Sequence, residues 1–284
     1  MQRSILALVL VLGCRPASPG PAPAATPPPT PAPATDAKRC TLAPGDGEIQ
    51  LEVGELQRRY LVHVGAQLAA PPAVVFAWHG FGSGPESALR SMAAAQLWGD
   101  AIVVAPQGEP RTFEQFGDRS RAGWQVAKGE LGDRDLAFFD AILAELDARG
   151  CVDRKRVYST GFSNGGFFTN VLACHRGAVL AAAAPAGGGG PFERCSTDAQ
   201  VPVLVTHGRR DQVVDYAMAT DSFARWVAHN GCSPDARAPA DGCAEATGCP
   251  KSAPVRMCSL DIGHEWPEGQ AERTRDFLRA FTRP

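Results

Sequence analysis

Apolar and polar residues alternate over residues 48–53 and again over 58–64, the pattern of strands with one face in a core. The two runs predict antiparallel edge strands joined near Gly54. Farther along, alternation gives way to unbroken apolar runs at 73–78 and 101–105, with a β-prone run at 156–160, a further buried strand read at 201–206 and a last strand at 255–261. Short runs without a polar face predict strands buried on both sides. Apolar positions fall at helical spacing over 136–146, opened by Asp133 and Asp135 and closed by Gly150. Residues 164–174, 221–230 and 268–281 also read as helices. Strands alternating with helices predict an α/β fold: a doubly wound, mostly parallel sheet with helices on both faces. No internal repeat is visible.

One turn in this pattern carries chemistry. The run at 156–160 stops at Gly161, Ser163 follows two residues on, and Gly165-Gly166 open a helix. Strand, G-x-S-x-G and helix together describe a nucleophile elbow. A serine hydroxyl is a poor nucleophile, so it needs a base and a third group to orient that base. In this architecture they follow in the order Ser, acid, His, on loops after later strands. The run at 201–206 leads into His207-Gly208-Arg209-Arg210-Asp211, and the run at 255–261 into Ile262-Gly263-His264-Glu265-Trp266-Pro267. Asp211 and His264 are therefore the candidate acid and base. A helix N-cap is the structural alternative for Asp211, and Asp215 the substitute acid. His63 falls in an edge strand, His79 and His207 precede glycines in turns that favour local hydrogen bonding, and His175 and His229 fall at helix ends, where solvated rings are expected. For the oxyanion, the expected donors are the backbone N–H of Asn164 and that of Phe81, in the turn His79-Gly80-Phe81.

Composition narrows the setting. A net charge of −2 gives nucleic-acid binding no electrostatic support. Residues 4–13 are apolar behind Arg3, too short a stretch to span a bilayer. Residues 1–13 read as a lipoprotein signal peptide, because Val11-Leu12-Gly13-Cys14 has the form of a lipobox; an ordinary signal peptide is the alternative. Cys14 would carry the lipid, and Arg15 behind it points to the outer membrane in a two-membrane host. The Pro/Ala-rich stretch 14–38 reads as a tether, leaving 39–284 as one catalytic domain. The chain is thus expected to be exported, anchored to the envelope or extracellular, and monomeric. Eight cysteines remain: Cys40, Cys151, Cys174, Cys195, Cys232, Cys243, Cys249 and Cys258. In an exported chain they predict up to four disulfides. The local pairs Cys232–Cys243 and Cys249–Cys258 are the expected ones near the His264 loop. Zinc is the competing reading, but the C-x₂-C spacing of structural zinc is missing, so no metal is expected.

Longer stretches resemble a known family. They are His79-Gly80-Phe81-Gly82, Val104-Ala105-Pro106-Gln107-Gly108, Gly123-Trp124-Gln125, Cys151-Val152-Asp153, Gly161-Phe162-Ser163-Asn164-Gly165-Gly166, His207-Gly208-Arg209-Arg210-Asp211 and Gly263-His264-Glu265-Trp266-Pro267. Together they resemble the α/β-hydrolase esterases that include feruloyl esterases of carbohydrate esterase family 1 and polyhydroxybutyrate depolymerases. The resemblance implies a cofactor-free serine esterase working through an acyl-enzyme, with Ser163, Asp211 and His264 as the triad. Trp124 and Trp266 become substrate-contact candidates. The implied substrates are feruloyl or acetyl esters on plant polysaccharide, with polyhydroxybutyrate oligomers as the alternative. A non-catalytic surface lipoprotein on this scaffold and a serine peptidase are the readings from other classes. Arg209-Arg210 and Glu268-Gly269 depart from the family pattern and bear on the substrate pocket rather than the triad.

Overall fold

The computed structural model describes residues 39–237 and 242–284. The expected signal peptide, the tether and Cys14 lie outside the described residues. The chain enters through β1 (Gly45–Val53) and β2 (Leu56–Val64), an antiparallel pair that turns at Gly54. β3 (Ala73–Trp78) follows, then the short helices α1 (Pro85–Ser91) and α2 (Ala94–Leu97), then β4 (Ala101–Pro106). A ribbon of β5 (Glu109–Arg111) and β6 (Arg121–Gly123) stands apart from the main sheet. Next come α3 (Arg134–Ala148), β7 (Val157–Phe162), α4 (Asn164–Arg176), β8 (Ala182–Ala186) and β9 (Val203–Gly208). The chain ends with α5 (Tyr216–His229), β10 (Ser233–Arg237), β11 (Cys243–Thr247), β12 (Val255–Leu260) and α6 (Gln270–Arg279).

The main sheet runs β1-β2-β4-β3-β7-β8-β9-β12-β11-β10. Its middle, from β4 to β12, is parallel, and an antiparallel pair is added on each side. Only β1 of the first pair is an edge; β2 lies inside, against β4. The apolar runs divide their side chains between two cores. In β3, Val74, Phe76 and Trp78 pack with Phe139 of α3, Phe168 of α4 and Trp226 of α5. Val75 and Ala77 point the other way, toward Met92, Trp98 and Leu278. Helices cover both faces, as the alternating pattern predicts.

Three strands of the main sheet escaped the sequence pattern. β8 is Ala-Ala-Ala-Pro-Ala, buried throughout but without a β-branched residue. β10 and β11 are short and carry polar residues. Their omission explains an error in the disulfides, which join Cys40–Cys151, Cys174–Cys195, Cys232–Cys249 and Cys243–Cys258. The expected pairs Cys232–Cys243 and Cys249–Cys258 do not form. β11 pairs with β12 so that Cys243 faces Cys258, and β10 pairs with β11 so that Ser233 faces Thr247. The ladder thus brings Cys232 to Cys249, with 4.1 Å between their Cα atoms. All four cysteines of the competing zinc reading are used in these bonds.

Candidate active site

The elbow is a strained turn between β7 and α4. Ser163 sits at φ 56°, ψ −121°, a region that a non-glycine residue adopts only under constraint. The constraint is close backbone packing on both sides. A Cβ on Gly161 would lie 2.4 Å from the Gly165 carbonyl oxygen, and one on Gly165 would lie 2.1 Å from that of Trp78. Only glycine lets β7, β3 and the first turn of α4 approach this closely. The Ser163 N–H donates to the Ala186 carbonyl at 2.9 Å, tying the turn to the end of β8.

Ser163, His264 and Asp211 come together across 101 residues of sequence. His264 Nε2 is 2.8 Å from Ser163 Oγ, and its Nδ1 is 2.7 Å from Asp211 Oδ2. A carboxylate only accepts, so Nδ1 carries the proton and Nε2 is left to accept from the serine. The other carboxylate oxygen, Oδ1, accepts the N–H groups of Val213 and Val214, each at 2.9 Å. Burial alone would raise the Asp211 carboxyl. The hydrogen bonds from His264, Val214 and Val213 outweigh it and hold the group below its ordinary value. Asp215 has the other job: it caps α5 by accepting the Ala217 N–H at 2.8 Å. That cap starts α5 at Tyr216, five residues before the apolar pattern begins.

The remaining histidines have partners of their own. His63 bonds Asp46, and His229 bonds the Ala199 carbonyl. His175 is a correction: its ring is buried, between Ser196 Oγ at 2.8 Å and Glu193 Oε1 at 2.7 Å. His207 is buried against the acid itself, with Nε2 2.9 Å from the Val214 carbonyl and 3.2 Å from Asp211 Oδ2. Its four-residue spacing from Asp211 is the sequence signal for this second histidine beside the carboxylate.

Around the expected oxyanion donors, both backbone and side-chain groups give support. Asn164 opens α4, so its own N–H has no partner within the helix. The turn carrying Phe81 is held by Gly82 N–H to the Ala122 carbonyl (2.8 Å) and Ser83 N–H to the Gly80 carbonyl (3.1 Å). His79 accepts the Gly108 N–H at Nε2 and donates from Nδ1 to the Gly80 carbonyl. Burial lowers its pKa, so the ring stays neutral. Trp124 is a second correction. It is 0% exposed, packs on Trp78 and Phe168, and donates its indole N–H to the His79 carbonyl. It lines neither cavity at Ser163; it is a strut under the site. The Asn164 side chain completes the strut by accepting the Trp124 N–H (2.7 Å) and donating to its carbonyl (2.9 Å). Beyond it, Asp135 accepts the Gln125 N–H at 2.8 Å and pairs with buried Arg58 at 3.1 Å. Sequence reading missed this chain of contacts.

Two cavities meet at Ser163. One, about 300 Å³, is lined by Ser83, Ser87, Ser91, His264 and Trp266. Trp266 therefore stands at a cavity wall, edge-on to Phe162. The other, about 250 Å³, is lined by Phe113, Phe167, Phe192, Val213 and Met218. Ser163 and Phe81 line both.

Comparison with known proteins agrees with this architecture. Among curated proteins, the chain is 28% identical over 217 residues to feruloyl esterase B of Piromyces equi, covering 68% of this chain and 38% of that protein. It is 33% identical over 177 residues to feruloyl esterase C of Emericella nidulans, covering 60% and 59%. The match thus spans less than two thirds of either relative's length. Among solved structures, an acetyl xylan esterase from Aspergillus awamori superposes with a TM-score of 0.58 at 15% identity, covering 81% of this chain and 99% of that one. A carboxylesterase of Bacillus cereus superposes with a TM-score of 0.56 at 18% identity, covering 78% and 94%. These identities speak for the fold, which is that of the α/β-hydrolases. The model of the dienelactone hydrolase family matches residues 72–232, more than half of the sequence, and the chain belongs to that family.

Proposed function

We propose that the chain is a carboxylic ester hydrolase with Ser163 as nucleophile, His264 as general base and acid, and Asp211 as the group that orients the imidazole. The observation that carries this reading is the unbroken line of contacts from Ser163 Oγ through His264 to Asp211, at 2.8 and 2.7 Å. Ser163 Oγ attacks the ester carbonyl carbon while its proton passes to His264 Nε2. The carbonyl oxygen becomes an oxyanion, stabilised by the main-chain N–H groups of Phe81 and Asn164. A donor of this kind contributes about 3–4 kcal/mol in related chemistry. The ester C–O bond then breaks, the alcohol oxygen takes the proton from Nε2, and an acyl-Ser163 remains. Water attacks that acyl group with its proton going to Nε2, and the proton returns to Ser163 as the carboxylic acid leaves. No cofactor enters these steps.

The names of the relatives, feruloyl esterase and acetyl xylan esterase, support feruloyl or acetyl esters of plant polysaccharide as substrates. Four disulfides suit an oxidising compartment. The reading accordingly places the enzyme outside the cytoplasm, held by a lipid on Cys14. The test is turnover of methyl ferulate and naphthyl acetate by the full chain and by Ser163→Ala. The variant is expected to lose at least about 10⁴-fold in kcat. Turnover within tenfold of wild type would remove Ser163 from the mechanism.

A further inference from the structure

Five large apolar side chains are exposed among the described residues: Leu56, Leu131, Phe192, Val213 and Met218. Three of them, Phe192 (41%), Val213 (46%) and Met218 (38%), border the same 250 Å³ cavity beside Ser163. Scattered singly, such side chains mean little; gathered at one concave place, they mark a binding site. Aromatic rings continue the wall inward. Phe113 meets Phe81 edge-on at 5.0 Å, and Phe167 meets Phe192 at 5.9 Å.

The neighbouring cavity is walled in part by Phe81, Met92 and Phe162, but it carries more hydroxyl groups. Ser83, Ser87 and Ser91, at four-residue spacing on and before α1, line it together with Trp266 and His264. His264 lines this cavity and not the phenylalanine-lined one.

An ester has two halves and a single proton to be delivered between them. When the tetrahedral intermediate collapses, the proton on His264 Nε2 must reach the alcohol oxygen, so the alcohol lies on the histidine side of Ser163. The acyl half must then extend the other way. We infer that the cavity of Phe113, Phe167, Phe192 and Met218 is the acyl subsite, shaped for a flat aromatic acid, and that the Ser87–Trp266 cavity receives a hydroxyl-rich alcohol such as a sugar. This inference rests on the hydrolase reading above and adds to it the direction in which the ester lies.

The acyl wall is held from outside the site. Phe192 belongs to the irregular segment after β8, which is fastened to α4 at several points. Asn170 Nδ2 donates to the Gly189 carbonyl at 2.9 Å, Cys174 is bonded to Cys195, and His175 sits between Glu193 and Ser196. These ties set the ring of Phe192 before substrate arrives, which lowers the ordering cost of binding.

The test is a crossed set of kcat/KM values for the full chain on methyl acetate, methyl ferulate and feruloyl-arabinose. Phe192→Ala is expected to lower the ratio of methyl ferulate to methyl acetate about tenfold. It should leave the ratio of feruloyl-arabinose to methyl ferulate in place. Trp266→Ala is expected to do the reverse, and Ser87→Leu, which fills the alcohol cavity away from the His264 loop, reads the same side if Trp266→Ala fails to fold. Should Phe192→Ala move the alcohol ratio, or should neither side's variants move their own ratio in an active enzyme, the assignment of subsites is overturned. A folded wild type that cleaves none of the three esters refutes the hydrolase reading itself, and the subsites with it.

Discussion

Replacing Asp211 by Asn exchanges one carboxylate oxygen for an amide nitrogen of nearly the same size. In the wild type both oxygens accept: Oδ1 from the amides of Val213 and Val214, Oδ2 from His264 Nδ1. An asparagine has one oxygen for these two sides. If that oxygen keeps the two backbone amides, the NH₂ group faces Nδ1, which must give up its proton and accept instead. The ring proton then sits on Nε2 and opposes the hydroxyl of Ser163, 2.8 Å away. The serine has lost its base. The same exchange in a serine protease triad costs about 10⁴ in kcat, or about 5.4 kcal/mol in the barrier. Asp215→Asn is the control. Its side chain caps α5, and Asn caps a helix as well as Asp, so kcat should stay within about twofold. The assay is kcat on methyl ferulate for both variants. A second readout is stability against pH. Because Asp211 is held below its ordinary value, its contribution is full above the unfolded carboxyl value of about 3.9 and is lost as pH falls through the lower folded value. The stability gap between wild type and Asp211→Asn should therefore be level near neutrality and narrow only below about pH 4. A dead Asp215→Asn, or an Asp211→Asn within tenfold of wild type, would refute the assignment of the acid.

Other outcomes follow from the supports of the site. Cys243→Ala with Cys258→Ala opens a bond of sequence separation 15 and should cost about 3 kcal/mol. For a domain of this size that is a fall of about 6–12 °C in Tm; a melt unchanged from wild type would contradict it. Asp135→Ala leaves the fully buried Arg58 guanidinium with only the part-exposed Glu109, at 3.3 Å, as its carboxylate partner, and should cost about 3 kcal/mol, the low end for a broken buried pair; thermal or denaturant unfolding measures it, and a change under 1 kcal/mol would show that the pair is not needed. Gly165→Ala places a Cβ 2.1 Å from the Trp78 carbonyl oxygen. It should abolish turnover through displacement of the elbow, and a variant with wild-type kcat and Tm would show that the backbone can yield there.

Much of the fold could be read from the sequence where burial writes a strong pattern. β3 was predicted at its observed bounds because all six of its residues are apolar and buried. That Ser163, Asp211 and His264 would meet was legible because each follows a strand end, and strand ends gather on one rim of a parallel sheet. β8 was hidden because alanine carries little β-propensity. β10 and β11 were hidden because short strands near an edge keep polar residues, and the disulfide pairing went wrong with them. Trp124 shows a different failure. A tryptophan beside a motif reads the same whether it faces substrate or lies under the loop that does, and only packing on Trp78 and Phe168 decides it. The buried pair Arg58–Asp135 joins residues 77 positions apart, and no local pattern announces it.

The central claim is that Ser163 is the residue acylated during turnover. The most direct measurement is labelling of the full chain with a fluorophosphonate, followed by intact mass and peptide mapping. The expected result is one adduct per chain, located on Ser163, with activity lost in proportion and no labelling of His264→Ala on the same timescale. An adduct on any other residue, or a chain that hydrolyses methyl ferulate yet stays unlabelled, would contradict it.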